Sequence, residues 1–281
     1  MSSGLVNFLH LGPSKSGSTW LHEILVSHPE VYLSQAKDLY FFNRYYDRGL
    51  DWYRAQFRGA QADYEIVGEV CPDYLACPDA PKRIRACLGT DVRLMVTLRE
   101  PTARAFSSYL YLRKHGLARD GFRQATLTAS ELLDEGRYAT HLRRYLRYFD
   151  RESLYIAVFD DLEADPQKFL DGVTDWLGVS RLAVSPELFR AQLPASEARW
   201  LPLAMLAKHG ANWVRRRDGA DLIGHIKRSP LVQRALYKPF GTERPTMSPE
   251  DVSFVRERLA DEIADVEKEF DIPLRQRWGW P

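Results

Sequence analysis

The segment Gly12–Leu21 holds the residues whose types and spacing best suit chemistry on an anion. It follows a short apolar run and precedes the pattern of a helix that begins near its end. A tight turn between a strand and a helix directs backbone N–H groups and the positive end of the helix dipole to one point. Lys15 adds a full charge to this turn, and Ser18 and Thr19 add hydroxyl groups. The sequence therefore predicts a site for a phosphate-like group.

The spacing of the glycines in this turn resembles that of a nucleotide phosphate loop, but the lysine is in a different place. Gly12 and Gly17 are separated by four residues, as in that loop. A nucleotide loop continues with Lys-Ser/Thr directly after the second glycine. Here Ser18 follows Gly17, and Lys15 lies inside the turn. The turn is thus predicted to bind a phosphate-like group but not a magnesium triphosphate. By itself it also fits an ordinary junction with a surface lysine.

A second candidate anion site follows the apolar segment 91–98, which is typical of a buried strand. Arg99 would lie at the carboxyl end of that strand, where open α/β sheets bind ligands. Pro101 suits the first turn of a new helix, and Ser107 lies two turns further on. The planar guanidinium of Arg99 and the hydroxyl of Ser107 suit a phosphate. Arg104 is expected to assist there or to form a salt bridge on the helix surface. A capped helix with a surface arginine is the alternative.

The two segments together resemble the sulfotransferases that use 3′-phosphoadenosine 5′-phosphosulfate (PAPS). Pro13–Leu21 is similar to the 5′-phosphosulfate loop of that family, and Arg99–Tyr109 is similar to its 3′-phosphate segment. The resemblance implies that PAPS is the donor, that adenosine 3′,5′-bisphosphate (PAP) is the product, and that no metal is required. The acceptor is expected to be a hydroxyl or amine of a small molecule, glycan or natural product.

The resemblance extends to the Golgi heparan sulfate sulfotransferase branch and its bacterial relatives. It rests on Lys37–Phe42, Gly68–Tyr74, Gly136–Leu146, Gly241–Pro245 and the closing Gly279–Trp280. The late loop departs from that branch, whose Lys-Gly-Arg before the proline is replaced here by a sequence with Phe240 and Thr242 at the basic positions. Lys238 and Arg244 are the candidates to substitute for them.

The resemblance implies a role for each candidate site residue. Lys15 would neutralise the leaving phosphate, and Glu69 would take the proton of the acceptor if burial raises its pKa. Lys37 would contact the sulfonate or tune that base. Glu69 as a solvated strand-end carboxylate and Lys37 as a surface lysine are the alternatives, and His10 and His141 are fallback bases. The predicted catalytic residues are Lys15, Glu69 and Lys37, and the predicted cofactor-binding residues are Lys15, Ser16, Gly17, Ser18, Thr19, Trp20, Arg99, Ser107, Thr242 and Arg244.

The overall composition limits the class of protein. Lys and Arg number 39 against 38 Asp and Glu, which argues against a nucleic-acid binder that works through bulk charge. The three cysteines are odd in number and clustered in sequence, so free thiols and a cytoplasmic location are expected. No signal peptide and no run of roughly 18 apolar residues is found, so no transmembrane segment is predicted.

Alternation of apolar strands and helical patterns predicts an α/β fold, with a doubly wound parallel sheet and a P-loop-like strand–loop–helix. The whole chain, 1–281, is expected to form one domain, with 197–239 a basic helical insertion that acts as a lid near the acceptor or is a solvated helical face. The predicted strands are Asn7–Leu11, Glu65–Val70, Arg93–Leu98 and Leu154–Phe159, and the predicted helices are Thr19–Ser27, Pro101–His115, Arg137–Phe149, Asp165–Leu177 and one from Ser248 to about Phe270.

Two functions other than sulfonate transfer stay open at this stage. A P-loop kinase or NTPase shares the strand–loop–helix but needs the Lys-Ser/Thr pair, against which Gly17-Ser18 argues. A non-catalytic nucleotide-binding module would keep the fold without the chemistry. The presence of Lys15, Glu69 and Arg99 together favours the enzyme.

Overall fold

The structure is a computed structural model that describes residues 6–118, 120–186, 188, 196–198, 237–239 and 246–281. Its centre is a parallel sheet in the strand order β2-β3-β1-β4-β5. The five strands are β1 (Phe8–Gly12), β2 (Val31–Leu33), β3 (Ile66–Val70), β4 (Arg93–Leu98) and β5 (Leu154–Val158).

The strands form where the sequence is apolar without interruption. All residues of β1 and β3 are buried, as expected for parallel strands that are covered by helices on both faces. The prediction for β4 is confirmed at both ends, and those for β1, β3 and β5 are confirmed to within one residue. The edge strand β2 was missed because three residues are too few to show a period.

Helices cover both faces of the sheet, so the doubly wound architecture is confirmed. One face packs against the first and ninth helices, and the other packs against a larger aromatic-rich core. The helices are α1 (Ser18–Val26), α2 (Leu50–Ala55), α3 (Ala80–Leu88), α4 (Pro101–Lys114), α5 (Phe122–Thr128), α6 (Glu131–Asp134), α7 (Tyr138–Tyr145), α8 (Phe159–Ala164), α9 (Pro166–Leu177), α10 (Pro249–Phe270) and α11 (Leu274–Trp278).

Side-chain caps fix the starts of the helices that the sequence predicts best. The carboxylate of Glu100 accepts a hydrogen bond from the N–H of Ala103 at 2.6 Å and so caps α4. Asp165 caps α9 in the same way, and Ser248 caps α10. The predicted start of α7 is correct to within one residue, but the helix ends at Tyr145, four residues before the predicted end.

The end of β1 lies against the segment that follows β3. Gly12 has φ 120°, and a Cβ atom at this position would lie 2.1 Å from the carbonyl oxygen of Pro72. Only glycine allows so close an approach of two backbones. This contact holds the phosphate-loop candidate next to the segment that contains Glu69.

Little of the predicted insertion 197–239 can be compared with the structure. The backbone of Ser196–Ala198 (β6) pairs antiparallel with Tyr237–Pro239 (β7), and the rest of the insertion lies outside the described residues. The predicted lid therefore stays a prediction. Within the described ranges, no helix combines the length and hydropathy needed to cross a membrane.

Candidate functional site

The two predicted anion segments meet at the carboxyl end of the sheet. The loop after β1 carries Lys15, and Arg99 follows β4, the neighbouring strand. Nη1 of Arg99 donates a hydrogen bond to the carbonyl oxygen of Lys15 at 2.7 Å. The guanidinium also lies over the ring of Phe159, 4.4 Å from its centroid. Lys15 and Arg99 thus belong to one site, 84 positions apart in sequence.

The loop after β1 is folded tightly by residues with positive φ. Lys15 has φ 72°, and Gly17, which precedes α1, has φ 81°. A Cβ atom on Gly17 would lie 2.7 Å from Cδ2 of Leu162 and 3.2 Å from the ring of Phe159, so a larger residue would require these side chains to shift. Ser16 is buried, and its hydroxyl has no hydrogen-bond partner among the described residues. A buried hydroxyl at a helix N-terminus fits a bound anion.

One face of α4 lies beside this loop and adds residues that the sequence analysis missed. Nζ of Lys15 lies 4.5 Å from the ring centroid of Tyr111, a cation–π contact. Tyr111 is four residues after Ser107, and Lys114 is seven residues after it, so the three share one face of α4. This spacing is the sequence signal that identifies Tyr111 and Lys114 once Ser107 is singled out.

Several cationic side chains act on Lys15 at this site. Burial lowers the pKa of Lys15 to about 8, and the charges of Lys37, Lys114 and Arg99 lower it further, while Glu135 raises it. Burial also lowers the pKa of Lys114 to about 8. Cations held this close destabilise one another in the absence of an anion. The arrangement therefore fits a ligand with several negative charges.

The structure places Glu69 inside the protein rather than on the cleft surface. Its side chain is fully buried in β3, and Oε1 accepts a hydrogen bond from the hydroxyl of Tyr74 at 3.1 Å. Burial raises the pKa of Glu69 to about 8, the charge of Asp38 raises it further, and the phenols of Tyr53 and Tyr74 oppose the shift. The raised pKa that a general base requires is therefore present at this residue.

Asp38 is a second carboxylate at this end of the sheet, and the sequence analysis missed it as a site residue. Its Oδ1 lies 2.9 Å from Nζ of Lys37, and its side chain is 21% exposed. The charge of Lys37 in turn acts on Lys15, which places this ion pair beside the phosphate-loop candidate. Its place in Lys37–Phe42, a segment that resembles the family, was the available sequence signal, and its left-handed backbone, φ 65°, cannot be read from the residue type.

The remaining candidates have clear structural contacts. Trp20 packs in the core against Phe169, and its Nε1 donates to the carbonyl of Leu188 at 3.1 Å; a nucleotide contact stays a prediction. His10 lies 3.1 Å from the Thr97 hydroxyl, and burial lowers its pKa to about 3, so it is neutral. His141 contacts the carbonyl of Asp134 in a similar manner. Ser18 is buried and Thr19 half-buried in the first turn of α1, whereas Thr242 and Arg244 lie outside the described residues.

The expectation for Arg104 was wrong about its location. Its side chain is completely buried rather than on the helix surface, although it does form an ion pair, with Glu135 at 3.1 Å. The other amino group of its guanidinium bonds the carbonyls of Glu131 and Leu132. Periodicity alone does not show this, because α6 covers a position on α4 that would otherwise face solvent.

A cavity of about 300 Å³ opens beside the loop. Glu135 belongs to its wall and accepts hydrogen bonds from Ser14, the residue before Lys15. Burial raises the pKa of Asp73, also in the wall, to about 6, and Arg44 opposes the shift. The polar side chains of the wall are Asn43, Asp73, Ser130, Glu131, Asp134 and Glu135.

Comparison with known proteins gives a family for this chain. A family model described as "Sulfotransferase domain" matches residues 7–192. Human heparan sulfate glucosamine 3-O-sulfotransferase 6 is 32% identical over 189 residues, which span 64% of this chain and 54% of the relative. Human heparan sulfate glucosamine 3-O-sulfotransferase 3B1 is 31% identical over 197 residues, which span 67% of this chain and 50% of the relative. The chain thus spans about half the length of the curated relatives it matches.

Solved structures share the fold. A sulfotransferase from Alicyclobacillus acidocaldarius aligns with a TM-score of 0.58 and 24% identity, over 82% of this chain and 99% of its own. Mouse sulfotransferase SULT7A1, solved in complex with PAP, aligns with a TM-score of 0.51 and 12% identity, over 94% of this chain and 85% of its own. At these identities the likeness concerns the fold alone.

Proposed function

Because the chain belongs to the sulfotransferase domain family, we propose that it transfers a sulfonate from PAPS to a hydroxyl or amine of a small-molecule or glycan acceptor. The observation that carries the proposal is the hydrogen bond from Arg99 to the carbonyl of Lys15, which joins two anion-binding segments in one site. The match to the sulfotransferase domain favours this function over the kinase alternative.

The donor would be held by charges and backbone groups that the described residues supply. The N-terminal turn of α1 and the hydroxyls of Ser16, Ser18 and Thr19 suit the 5′-phosphate, and Arg99 with Ser107 suits the 3′-phosphate. Lys15 neutralises the charge that develops on the leaving phosphate. The proposed contacts of Thr242 and Arg244 rest on the sequence resemblance alone.

In the proposed reaction the acceptor oxygen or nitrogen forms a bond to sulfur while the bond from sulfur to the 5′-phosphate oxygen breaks. PAP leaves with that electron pair, and the acceptor's proton passes to a carboxylate. Glu69 is proposed for this role from the sequence, and its raised pKa supports it. Asp38 is a competing carboxylate, because it is partly exposed beside Lys37.

Substitution of each carboxylate separates the two assignments. We expect Glu69→Gln to lower kcat at least about 100-fold if Glu69 is the base, and Asp38→Asn to do so if it is Asp38. The assay is transfer of radiolabelled sulfonate at saturating donor. Unchanged turnover in Glu69→Gln removes Glu69 from the mechanism, and Glu65→Gln, an exposed carboxylate just before β3, is the matched control.

The acceptor is proposed to be neutral or to carry an amine. The curated relatives are named for a glucosamine of heparan sulfate, a polyanion. The cavity beside the loop is proposed to receive the acceptor. Asp73 and Glu135 in its wall are paired with Arg44 and Arg104, but the further carboxylates Glu131 and Asp134 would repel such a chain. We expect oligomers of N-acetylglucosamine or glucosamine to be sulfated faster than an uronic-acid polymer. The reverse order would contradict this assignment of acceptor.

Calorimetry with PAP tests the donor site directly. We expect the unchanged protein to bind PAP and Lys15→Ala and Arg99→Ala to weaken binding at least about 100-fold, because each removes a charge-assisted contact. Lys168→Ala and Arg85→Ala, exposed on α9 and α3, are the matched controls and should bind as the unchanged protein does.

Two results would overturn the proposal. Absence of PAP binding by the unchanged protein would remove the donor. A thermal shift with Mg-ATP and none with PAP would favour the kinase or NTPase.

A cytoplasmic location is also proposed, supported by the free thiols of Cys71, Cys77 and Cys87.

A further inference from the structure

A buried hydrogen-bonded chain connects α4 to the loop after β1, and the proposed donor contacts do not use it. It begins at Arg104, whose side chain is completely buried. Nη1 of Arg104 lies 3.1 Å from Oε2 of Glu135, the residue that follows α6. The same oxygen accepts hydrogen bonds from the N–H of Ser14 at 3.2 Å and from its hydroxyl at 2.7 Å.

Burial makes these contacts strong. The side chain of Glu135 is 12% exposed, and that of Arg104 is not exposed at all. Hydrogen bonds to an ionised group are shorter and stronger than neutral ones, and more so where water is largely excluded. The guanidinium also bonds the carbonyls of Glu131 and Leu132, which fixes α6 and therefore the position of the Glu135 carboxylate.

Ser14 directly precedes Lys15, the residue proposed to contact the leaving phosphate. The hydrogen bonds from Arg104 through Glu135 to Ser14 therefore restrain the position of Lys15. The backbone of Lys15 is left-handed, φ 72°, which is unfavourable for an L-residue. Its carbonyl accepts the hydrogen bond from Arg99. The lysine is thus held from both sides, by Glu135 through Ser14 and by Arg99 through its own carbonyl.

A carboxylate beside an anion-binding loop would repel the donor if it had no other role. Here Arg104 offsets the charge of Glu135, and all three donors converge on a single oxygen. Glu135 also belongs to the wall of the 300 Å³ cavity, so it lies between that cavity and the loop.

We propose that Glu135 is a positioning residue that anchors the loop through Ser14 and so aims Lys15 at the leaving phosphate. The inference rests on the proposed function, since it assigns Lys15 that target. Glu135 lies outside the sequence motifs that resemble the family, whereas Ser14 and Arg104 lie within them. Glu135 acts through Ser14 and touches neither donor nor acceptor in this role.

Substitution of Ser14 tests the proposal without disturbing the buried ion pair. We expect Ser14→Ala to weaken PAP binding about tenfold, the worth of a charge-assisted hydrogen bond. Ser14→Thr keeps the hydroxyl and should restore binding to within about threefold. Ser153→Ala, at the opposite end of the sheet, is the matched control. Affinity is measured by calorimetry, and thermal midpoints show that all the variants are folded.

Glu135→Gln supplies a second readout. It should lower kcat by a larger factor than it raises KM for the donor. A displaced Lys15 would stabilise the transition state less, whereas binding of the donor in the ground state would change little. Should this variant fail to fold, the serine variants decide alone.

The outcomes separate this inference from the proposed function. If the unchanged protein does not bind PAP, the proposed function fails. If it binds PAP and Ser14→Ala binds equally well, the positioning role is overturned. Equal weakening in Ser14→Ala and Ser14→Thr would also overturn it, since the hydroxyl would then not be the group that matters.

Discussion

At the scale of single residues, the site is governed by charges held out of water. Burial shifts the pKa values of both Lys15 and Glu69 toward their neutral forms. A lysine and a carboxyl with pKa values near 8 change charge within the working range of pH. Each shift therefore has a measurable consequence for binding or stability.

The affinity for PAP should fall as pH rises from 7 to 9. Only protonated lysines attract the phosphates, and the pKa values of Lys15 and Lys114 are each about 8, so both lose charge in this interval. Lys15→Arg should flatten part of the dependence, and Lys114→Arg should flatten another part, because arginine stays charged. Calorimetry at constant ionic strength measures this. If the affinity for PAP depends on pH in both variants as it does in the unchanged protein, neither lysine is responsible for that dependence.

Glu69 should make the protein less stable as pH rises. Its pKa is about 8 when folded and near 4.5 when unfolded, so the folded state binds the extra proton and the stabilisation is lost between these values. Glu69→Gln keeps the shape without the titration. Between pH 5 and pH 8 its free energy of unfolding should rise, relative to that of the unchanged protein, by on the order of 3 kcal/mol. Urea unfolding at both values measures it, with Glu65→Gln as the exposed control.

At the scale of elements, local sequence signals were sufficient where an element is long or capped. The apolar run of β4, the proline and glutamate at the start of α4, and the Asp165 cap of α9 are all visible in the sequence. Short elements such as β2, α2 and α6 were missed, because packing against the sheet rather than periodicity fixes them.

Replacement of Gly17 should cost more stability than its backbone angle alone implies. Gly178 has a similar left-handed conformation, φ 74°, and a Cβ atom added there would have nothing within 4 Å, whereas a Cβ on Gly17 meets Leu162. Gly178→Ala should therefore cost about 1 kcal/mol, and Gly17→Ala about 1–3 kcal/mol more. Chemical denaturation of both variants measures the difference. Equal costs would show that Leu162 moves aside freely.

At the scale of the whole molecule, the site is assembled from parts that the sequence keeps far apart. The positions of the phosphate loop and Arg99 at one edge of the sheet could be predicted because each follows an apolar strand, and parallel strands end at one edge. The burial of Glu69, one residue before the end of β3, could not. Glu135 and Asp38 could not be predicted, since their roles depend on which side chains the tertiary fold places beside them. The C-terminal part contributes as well, because Nε1 of Trp280 donates to Glu100, next to Arg99, at 2.9 Å.

The hydrogen bond between Arg99 and the Lys15 carbonyl holds the two proposed phosphate-binding residues at one separation. A rigid separation of this kind discriminates between regioisomers that carry equal charge. Adenosine 2′,5′-bisphosphate should therefore compete at least about tenfold less well than its 3′,5′ isomer in a displacement titration. Equal competition would mean that the site recognises the number of phosphates but not the distance between them.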